Sequence, residues 1–334
     1  MKMKMIALLL LIVVSAQAQM ITENFGTGAN SFTIDFVSIG DPNNSADTTG
    51  YGSVGYSYNI GKYEVSVPQI NGARASGLQG VTADSQNWNT TPDGPAYGLD
   101  WLQAAAFVNW LGISKGYQAA YKMTYLGGTG GHPHIPLRTY SIGVWQPGEA
   151  GYDPNNPFRN SLAVYALASE NEWYKAAYFD PNKNSGAGGY WKYATGSDSV
   201  PTPVTSGTAS GTSVYGYTFD GQLNKAASVS QAGGESPYGT VGQGGNVGEM
   251  LETQFGGANT DAEASRVTRG GANTGPVSQQ ASDFRWDIGV NNPDGYAVTG
   301  FRIISLIPEP SAISLVFFGG MTLLAFRKTT KNKI

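Results

Sequence analysis

Forty-six glycines among 334 residues, set beside 12% aromatic and only 13% charged residues, constrain this chain more than any other feature. Glycine at that density interrupts helices and strands, because it loses more backbone freedom on folding than other residues and readily forms turns. The large rings still need burial, so the composition describes a folded, turn-rich chain and not a disordered one. Cysteine is absent, so no disulfide staples the loops and every thiol mechanism is excluded. Stability must come from the size of the core and from any bound ions. The net charge is −4 and the basic run sits only at the carboxyl end, which argues against nucleic acid as a partner.

Both termini carry targeting patterns. Lys2 and Lys4 precede the apolar stretch from Met5 to Val14, and Ala16-Gln17-Ala18 offers small residues to a signal peptidase, so residues 1–18 read as a signal peptide. At the other end, sixteen mostly apolar residues from Ser311 to Phe326 reach roughly 24 Å as a helix, short of a roughly 30 Å hydrocarbon core. They form a weak transmembrane anchor, and the basic tail 327–334, with Arg327, Lys328, Lys331 and Lys333, stays on the cytoplasmic side. Residues 19–306, about 290 residues, remain to fold outside the cytoplasm as one large domain or two small ones.

The residues just before that anchor, Pro308, Glu309 and Pro310, together with Arg327 behind it, resemble a PEP-CTERM sorting signal over residues 307–334. The resemblance implies processing by an exosortase. It also implies a Gram-negative host that secretes polysaccharide, with the protein held briefly in the inner membrane and then passed to the cell envelope, cell surface or extracellular matrix. An ordinary single-pass tail anchor is the alternative.

Along the chain, alternation of Phe32, Ile34 and Phe36 with polar neighbours predicts a strand over Ser31 to Ile39, and Tyr56 to Val65 reads as another. Ser66 and Gln69 mark a helix start, with Gly72 and Gly77 keeping that helix short. The clearest helix spans Trp101 to Leu111, capped by Asp100 and ended by Gly112. Ser169 and Glu172 form a capping box for a helix ending near Tyr178. Short strands are expected at Ser213 to Phe219, Arg266 to Arg269 and Gly300 to Leu306, and no fixed-period repeat is present. Few regular elements with many rings suggest an irregular α+β fold.

Six motifs then fall in an order that resembles the sulfatase-modifying factor family. They are Lys62-Tyr63-Glu64-Val65-Ser66; Leu99-Asp100-Trp101 with Asn109-Trp110-Leu111; Ser169-Glu170-Asn171-Glu172-Trp173; Gly244-Gly245-Asn246-Val247-Gly248-Glu249; Arg269-Gly270-Gly271; and Gly300-Phe301-Arg302. The resemblance covers roughly Phe32 to Ile304. It implies a single loop-rich α+β domain of the formylglycine-generating-enzyme and C-type-lectin-like kind, spanning residues 19–306.

Oxidase members of that family hold copper with two cysteines, four and nine positions after the second glycine of the Arg-Gly-Gly motif. Counting from Gly271, those positions are Gly275 and Gln280, neither of which supplies a thiolate, so copper and the oxidase chemistry are not expected. The resemblance also implies a calcium site from the Gly245 and Val247 carbonyls and the Glu249 carboxylate, although Gly242 stands where a fourth, side-chain ligand is expected. The competing reading makes Glu249 a structural hydrogen-bond acceptor. Arg269, Arg285 and Arg302 match arginines of the closing motifs, and either bind a carboxylate or tie loops together through their donors.

Other constellations are weaker. His132-Pro133-His134 has metal-ligand residue types, but the proline splays the rings. Asp41-Pro42-Asn43-Asn44 and Asn291 to Gly295 read as turns before chelators. Glu170 and Glu172 are two apart on a helix and do not face each other, so no glycosidase pair is identified. Trp145, Tyr152, Tyr190 and Trp191 lie in Gly-rich loops, where rings serve the core or stack on sugars or a partner. The preferred reading is a non-catalytic binding or structural protein of the envelope, contacting extracellular polysaccharide or surface proteins. The alternative is an enzyme of different chemistry, or residual sulfatase-modifying activity, in a cleft near Gly271 to Gln280 lined by Ser278 and Arg285.

Overall fold

The computed structural model of the chain describes residues 20–83, 91–128, 138–216, 226–291 and 298–306. The signal peptide, His132 and His134, most of the Asn291 to Gly295 run, the sorting residues Pro308, Glu309, Pro310 and Arg327, and the apolar segment 311–326 lie outside the described residues. Among those described, no helix is long and apolar enough to cross a membrane.

Alternating apolar residues form β1 (Met20–Phe25) and β2 (Phe32–Ile39), which pair antiparallel with Met20 opposite Val37 and Phe25 opposite Phe32. After β3 (Tyr58–Gly61), Pro68 in the first turn and a capping box of Ser66 and Gln69 start α1 (Val67–Ala75). Gly72 is accommodated inside it, packed against Phe32, and the chain leaves the helix at Gly77 with φ +110°. Asp100 caps α2 (Trp101–Ser114) by accepting from the Gln103 amide, and burial pushes its carboxyl up to about 6. The helix runs through Gly112 to Ser114 because glycine only weakens a helix, and a well-buried face outweighs that cost.

A hairpin of β4 (Lys122–Tyr125) and β5 (Tyr140–Gly143) follows, then β6 (Tyr165–Leu167) and α3 (Glu170–Tyr178), whose capping box joins Ser169 and Glu172. The last third supplies β7 (Gly248–Gln254), β8 (Arg266–Arg269), β9 (Trp286–Ile288), β10 (Thr299–Gly300) and β11 (Ile303–Ser305). The two larger sheets among the described residues are ordered β1-β2-β3-β11-β6 and β9-β8-β7-β10. The first curls: Tyr165 on one edge strand meets the Phe25 ring on the other at 5.4 Å.

Three expected strands come out shorter. Tyr56 to Val65 contributes only Tyr58–Gly61, because Val65 turns to donate to the Phe301 carbonyl. Within the described part of Ser213 to Phe219, only Ser213 is in a strand, paired through Thr212–Ser213 with Thr202–Pro203. Gly300 to Leu306 breaks between Gly300 and Ile303, where Arg302 aims its guanidinium into the interior. One continuous core spans both sheets and the helices, with Trp101, Trp173, Phe36, Phe107 and Phe158 among its fully buried rings.

Candidate functional site

The segment from Arg269 to Arg285, where the cleft is expected, leaves β8 through two glycines in left-handed geometry. At Gly270 (φ +94°) an added Cβ would sit 2.9 Å from the Gln243 carbonyl oxygen, so only glycine fits this approach. Gly271 brings the chain to a single 3-10 turn over Val277–Gln280, whose Gln279 backbone lies 3.1 Å from where a Cβ would be. The two positions at which the family resemblance leads one to expect copper thiolates are Gly275 and Gln280. An added Cβ at Gly275 would meet Gln279 Oε1 at 2.0 Å, so the Gln279 side chain lies against that glycine. Gln280 is buried, its Oε1 2.8 Å from Ser213 Oγ and its carbonyl accepting from Tyr178 at 3.2 Å. Amide and glycine give no soft donor, so these residues do not fit Cu(I).

The arginines of this region are tied to carboxylates of the chain itself. Arg269, fully buried, donates through Nε to Glu170 at 2.8 Å and through one terminal nitrogen to the Ser282 and Phe284 carbonyls at 2.8 and 2.9 Å. Arg285 holds the same carboxylate at 2.8 and 2.9 Å and packs on the Phe255 ring at 4.5 Å. Ser278 is exposed. Thus Arg269 and Arg285 share Glu170 and clamp the closing loop to the start of α3.

Arg302 lies apart from them. All five of its donors are used: two reach the Glu249 carboxylate at 2.6 Å each, and the others reach the Gly61, Lys62 and Val241 carbonyls at 2.9, 3.2 and 2.9 Å. Trp173 donates its indole N–H to the same carboxylate at 2.7 Å. Both Glu249 oxygens are therefore engaged, and a calcium ion on that carboxylate would compete with a guanidinium for them. Gly242 lies against Glu64: an added Cβ there would stand 3.0 Å from the Glu64 carboxyl carbon. Burial, reinforced by the Glu249 charge, pushes the Glu64 carboxyl well above the usual carboxylate range. Asn246 Nδ2 donates to it at 2.7 Å. Among the described residues, no three His, Asp or Glu side chains gather as a metal-binding group.

A further charged cluster escaped sequence reasoning altogether. Arg159 is buried between Glu172, bonded twice at 3.0 Å, and Glu252, bonded at 2.6 Å, while Tyr121 and Tyr56 donate to the two carboxylates at 2.9 and 2.7 Å. Its carboxylate partners lie 13 and 93 residues away in sequence, so no local spacing announces them. Glu170 and Glu172 bond different arginines and so do not face each other, as their spacing on the helix leads one to expect.

The remaining candidates resolve into packing. Asp41 and Asn43 occupy left-handed turns at φ 52° and 64°, and Asp41 accepts from Tyr238 at 2.7 Å. Trp145, Tyr152, Tyr190 and Trp191 are half-buried. Trp145 donates to the Ala120 carbonyl at 3.0 Å, and Trp191 lies under Lys183 at 3.7 Å.

Lys175 adds a buried cation that, among the described residues, forms no ion pair with a carboxylate. Its ammonium donates to the Asp41 carbonyl at 2.8 Å, and burial lowers its pKa to about 8 from an ordinary 10.5. Below pH 8 the folded chain must bury the charge, whereas between about 8 and 10.5 the unfolded chain binds more protons, so stability rises with pH. Replacing Lys175 with Met is expected to raise stability at pH 7 by on the order of 2 kcal/mol, with the gain vanishing above pH 10. Urea melts of both proteins from pH 7 to 10 check this, and parallel curves would refute it.

Comparison with known proteins places this geometry. Residues 29–307 match the family described as the Sulfatase-modifying factor enzyme 1-like domain. Among solved structures, variable protein 1 of Treponema denticola superposes with a TM-score of 0.53 at 18% identity, over 85% of this chain and 99% of that one. A crystal structure of CarF superposes with a TM-score of 0.51 at 20% identity, over 82% of this chain and 99% of that one. Identities this low speak to the fold alone. No curated protein sequence matches the chain.

Proposed function

Because the chain belongs to the sulfatase-modifying factor enzyme 1-like family yet carries no cysteine, we propose that it is a non-catalytic binding or structural protein, exported and sorted to the cell envelope. In this reading its loops contact extracellular polysaccharide or surface proteins. The observation that carries it is the closing loop itself. Where oxidase relatives present two thiolates, Gly275 is covered by Gln279, and Gln280 is buried against Ser213. Arg269 and Arg285, the cations that an enzyme of other chemistry would draw upon, are held by Glu170. The amino-terminal signal and the Pro308-Glu309-Pro310 tail supply the route of export.

Two measurements test this reading. Purified full-length chain, incubated with copper and a peptide bearing the sulfatase cysteine motif, is expected to yield no formylglycine above background in mass spectra. Formylglycine above background would overturn the non-catalytic assignment. On a glycan array and in a pull-down from extracellular matrix, the chain is expected to retain ligands. If both come back empty, the binding role fails.

A further inference from the structure

An open groove lies away from the closing loop, and its chemistry names a ligand class. It encloses about 480 Å³ between the last turn of α1 and the end of β4, with Asn71, Arg74, Leu78, Gln79, Gly80 and Tyr125 among its walls. From this lining we infer that the groove is a subsite for a carboxylate-bearing saccharide, a uronate unit within a polysaccharide. The inference rests on the binding role proposed above and gives it a location.

Three features point the same way. Arg74 is exposed, and among the described residues no carboxylate pairs with it. Arg159, Arg269, Arg285 and Arg302 are each matched to an acid and Arg266 is spent on carbonyls and an amide, whereas Arg74 presents a planar fork at the surface that can receive a carboxylate. Beside it, Asn71 and Gln79 are exposed amides, each offering a donor and an acceptor of the kind that vicinal hydroxyls satisfy. Tyr125, 38% exposed, supplies an aromatic ring on the opposite wall, and the buried Leu78 and Val81 lay an apolar floor that suits the C–H face of a sugar. An acidic peptide would use the arginine but has no need of the ring and the flanking amides together.

The groove is also built in advance of any ligand. Tyr140 donates to the Gln79 carbonyl and Thr139 to the Gly80 carbonyl at 2.9 Å, fixing the loop after α1 to the β5 side. Tyr125 is held by its hydroxyl on the Gly128 carbonyl and by the Tyr140 ring at 5.4 Å. Gly80, at φ +65°, has no room for a side chain, since a Cβ would come within 2.7 Å of the Tyr125 ring. A wall whose rotamers are already set loses little entropy when a ligand arrives.

The test uses the full-length chain and hexagalacturonate, with neutral cellohexaose and hexaglutamate as controls, by titration calorimetry. Hexagalacturonate is expected to bind and cellohexaose to bind at least about tenfold more weakly, because a charge-assisted pair is lost. Arg74→Gln is expected to weaken the uronate about tenfold and Tyr125→Ala about fivefold. Asn71→Ala, at an exposed position, serves as a second variant should Tyr125→Ala fold poorly. Uronate affinity unchanged in Arg74→Gln overturns the inference, as does hexaglutamate binding as tightly as the sugar. If the chain binds other glycans but not the uronate, the groove assignment falls while the binding role stands.

Discussion

Replacing Arg302 with Met is expected to cost this domain more than any exposed substitution, because one guanidinium satisfies five acceptor positions in the interior. Its removal leaves the buried Glu249 carboxylate with only the Trp173 indole and takes a donor from the Gly61, Lys62 and Val241 carbonyls, of which Lys62 still accepts from the Val241 amide. Breaking a buried pair by deleting one member costs about 3–5 kcal/mol, since an uncompensated charge remains. For a domain of this size that corresponds to a fall in Tm on the order of 10 °C. Arg302→Lys should rescue little, because a single ammonium cannot reach a bidentate carboxylate and three carbonyls set around a planar fork. Thermal denaturation of both variants decides the matter: a Tm within 2 °C of the parent for either one would show that the pair is not what fastens the closing motif to the core.

Arg159→Leu is expected to have an effect of similar size with a distinctive pH signature. In the parent, burial pushes the Glu172 carboxyl up, but the Arg159 charge and the hydrogen bonds it receives outweigh this, and its pKa lies below the ordinary 4.5. Its contribution to stability is therefore complete above about pH 4.5 and is lost as the pH falls through the lower, folded value. Without Arg159, two buried carboxylates lose their shared cation: Glu172 keeps only the Tyr56 hydroxyl and the Ser169 amide, and Glu252 the Tyr121 hydroxyl and the Asn156 amide, all neutral donors. Burial then wins at Glu172, and its folded pKa rises above the unfolded value. The sign reverses: the variant should gain stability relative to the parent as the pH drops from 7.5 towards 5. A loss of about 3–5 kcal/mol at pH 7.5 that shrinks on acidification is the expected result. A deficit independent of pH would mean that lost packing, and not stranded charge, accounts for the change.

These two arginines, with the Arg269–Arg285 pair, also explain how Gly-rich loops without disulfides are held in one arrangement. Arg159 joins the loop before β6 to α3 and β7, Arg269 and Arg285 join β8 and the closing loop to α3, and Arg302 joins the segment before β11 to β7 and the turn after β3. Glu170, Glu172 and Glu249 are the acids at the hub. Neutralising buried charge in this way gives little net stability, yet any other arrangement strands charges, so alternative loop packings are penalised. The Gly-rich loops gain their definition from anchors at a few points.

Some of this was written locally in the sequence and some was not. Helix starts at Ser66, Asp100 and Ser169 and the strands at Phe32–Ile39 and Arg266–Arg269 depend on residues within a few positions of one another, so capping patterns and alternation announced them. The absence of thiols at Gly275 and Gln280 was likewise plain from residue identity alone. Which carboxylate each arginine meets was not legible, because Arg302 and Glu249 lie 53 residues apart and Arg269 and Glu170 lie 99 apart. Nor did any local pattern announce that Asn71, Arg74 and Tyr125 border one groove. Residue type determines what chemistry a chain can offer, and short-range geometry determines where its helices and strands begin. Only closure of the tertiary structure decides which distant groups lose water together, and thereby which charges are spent on holding the fold and which stay open to a ligand.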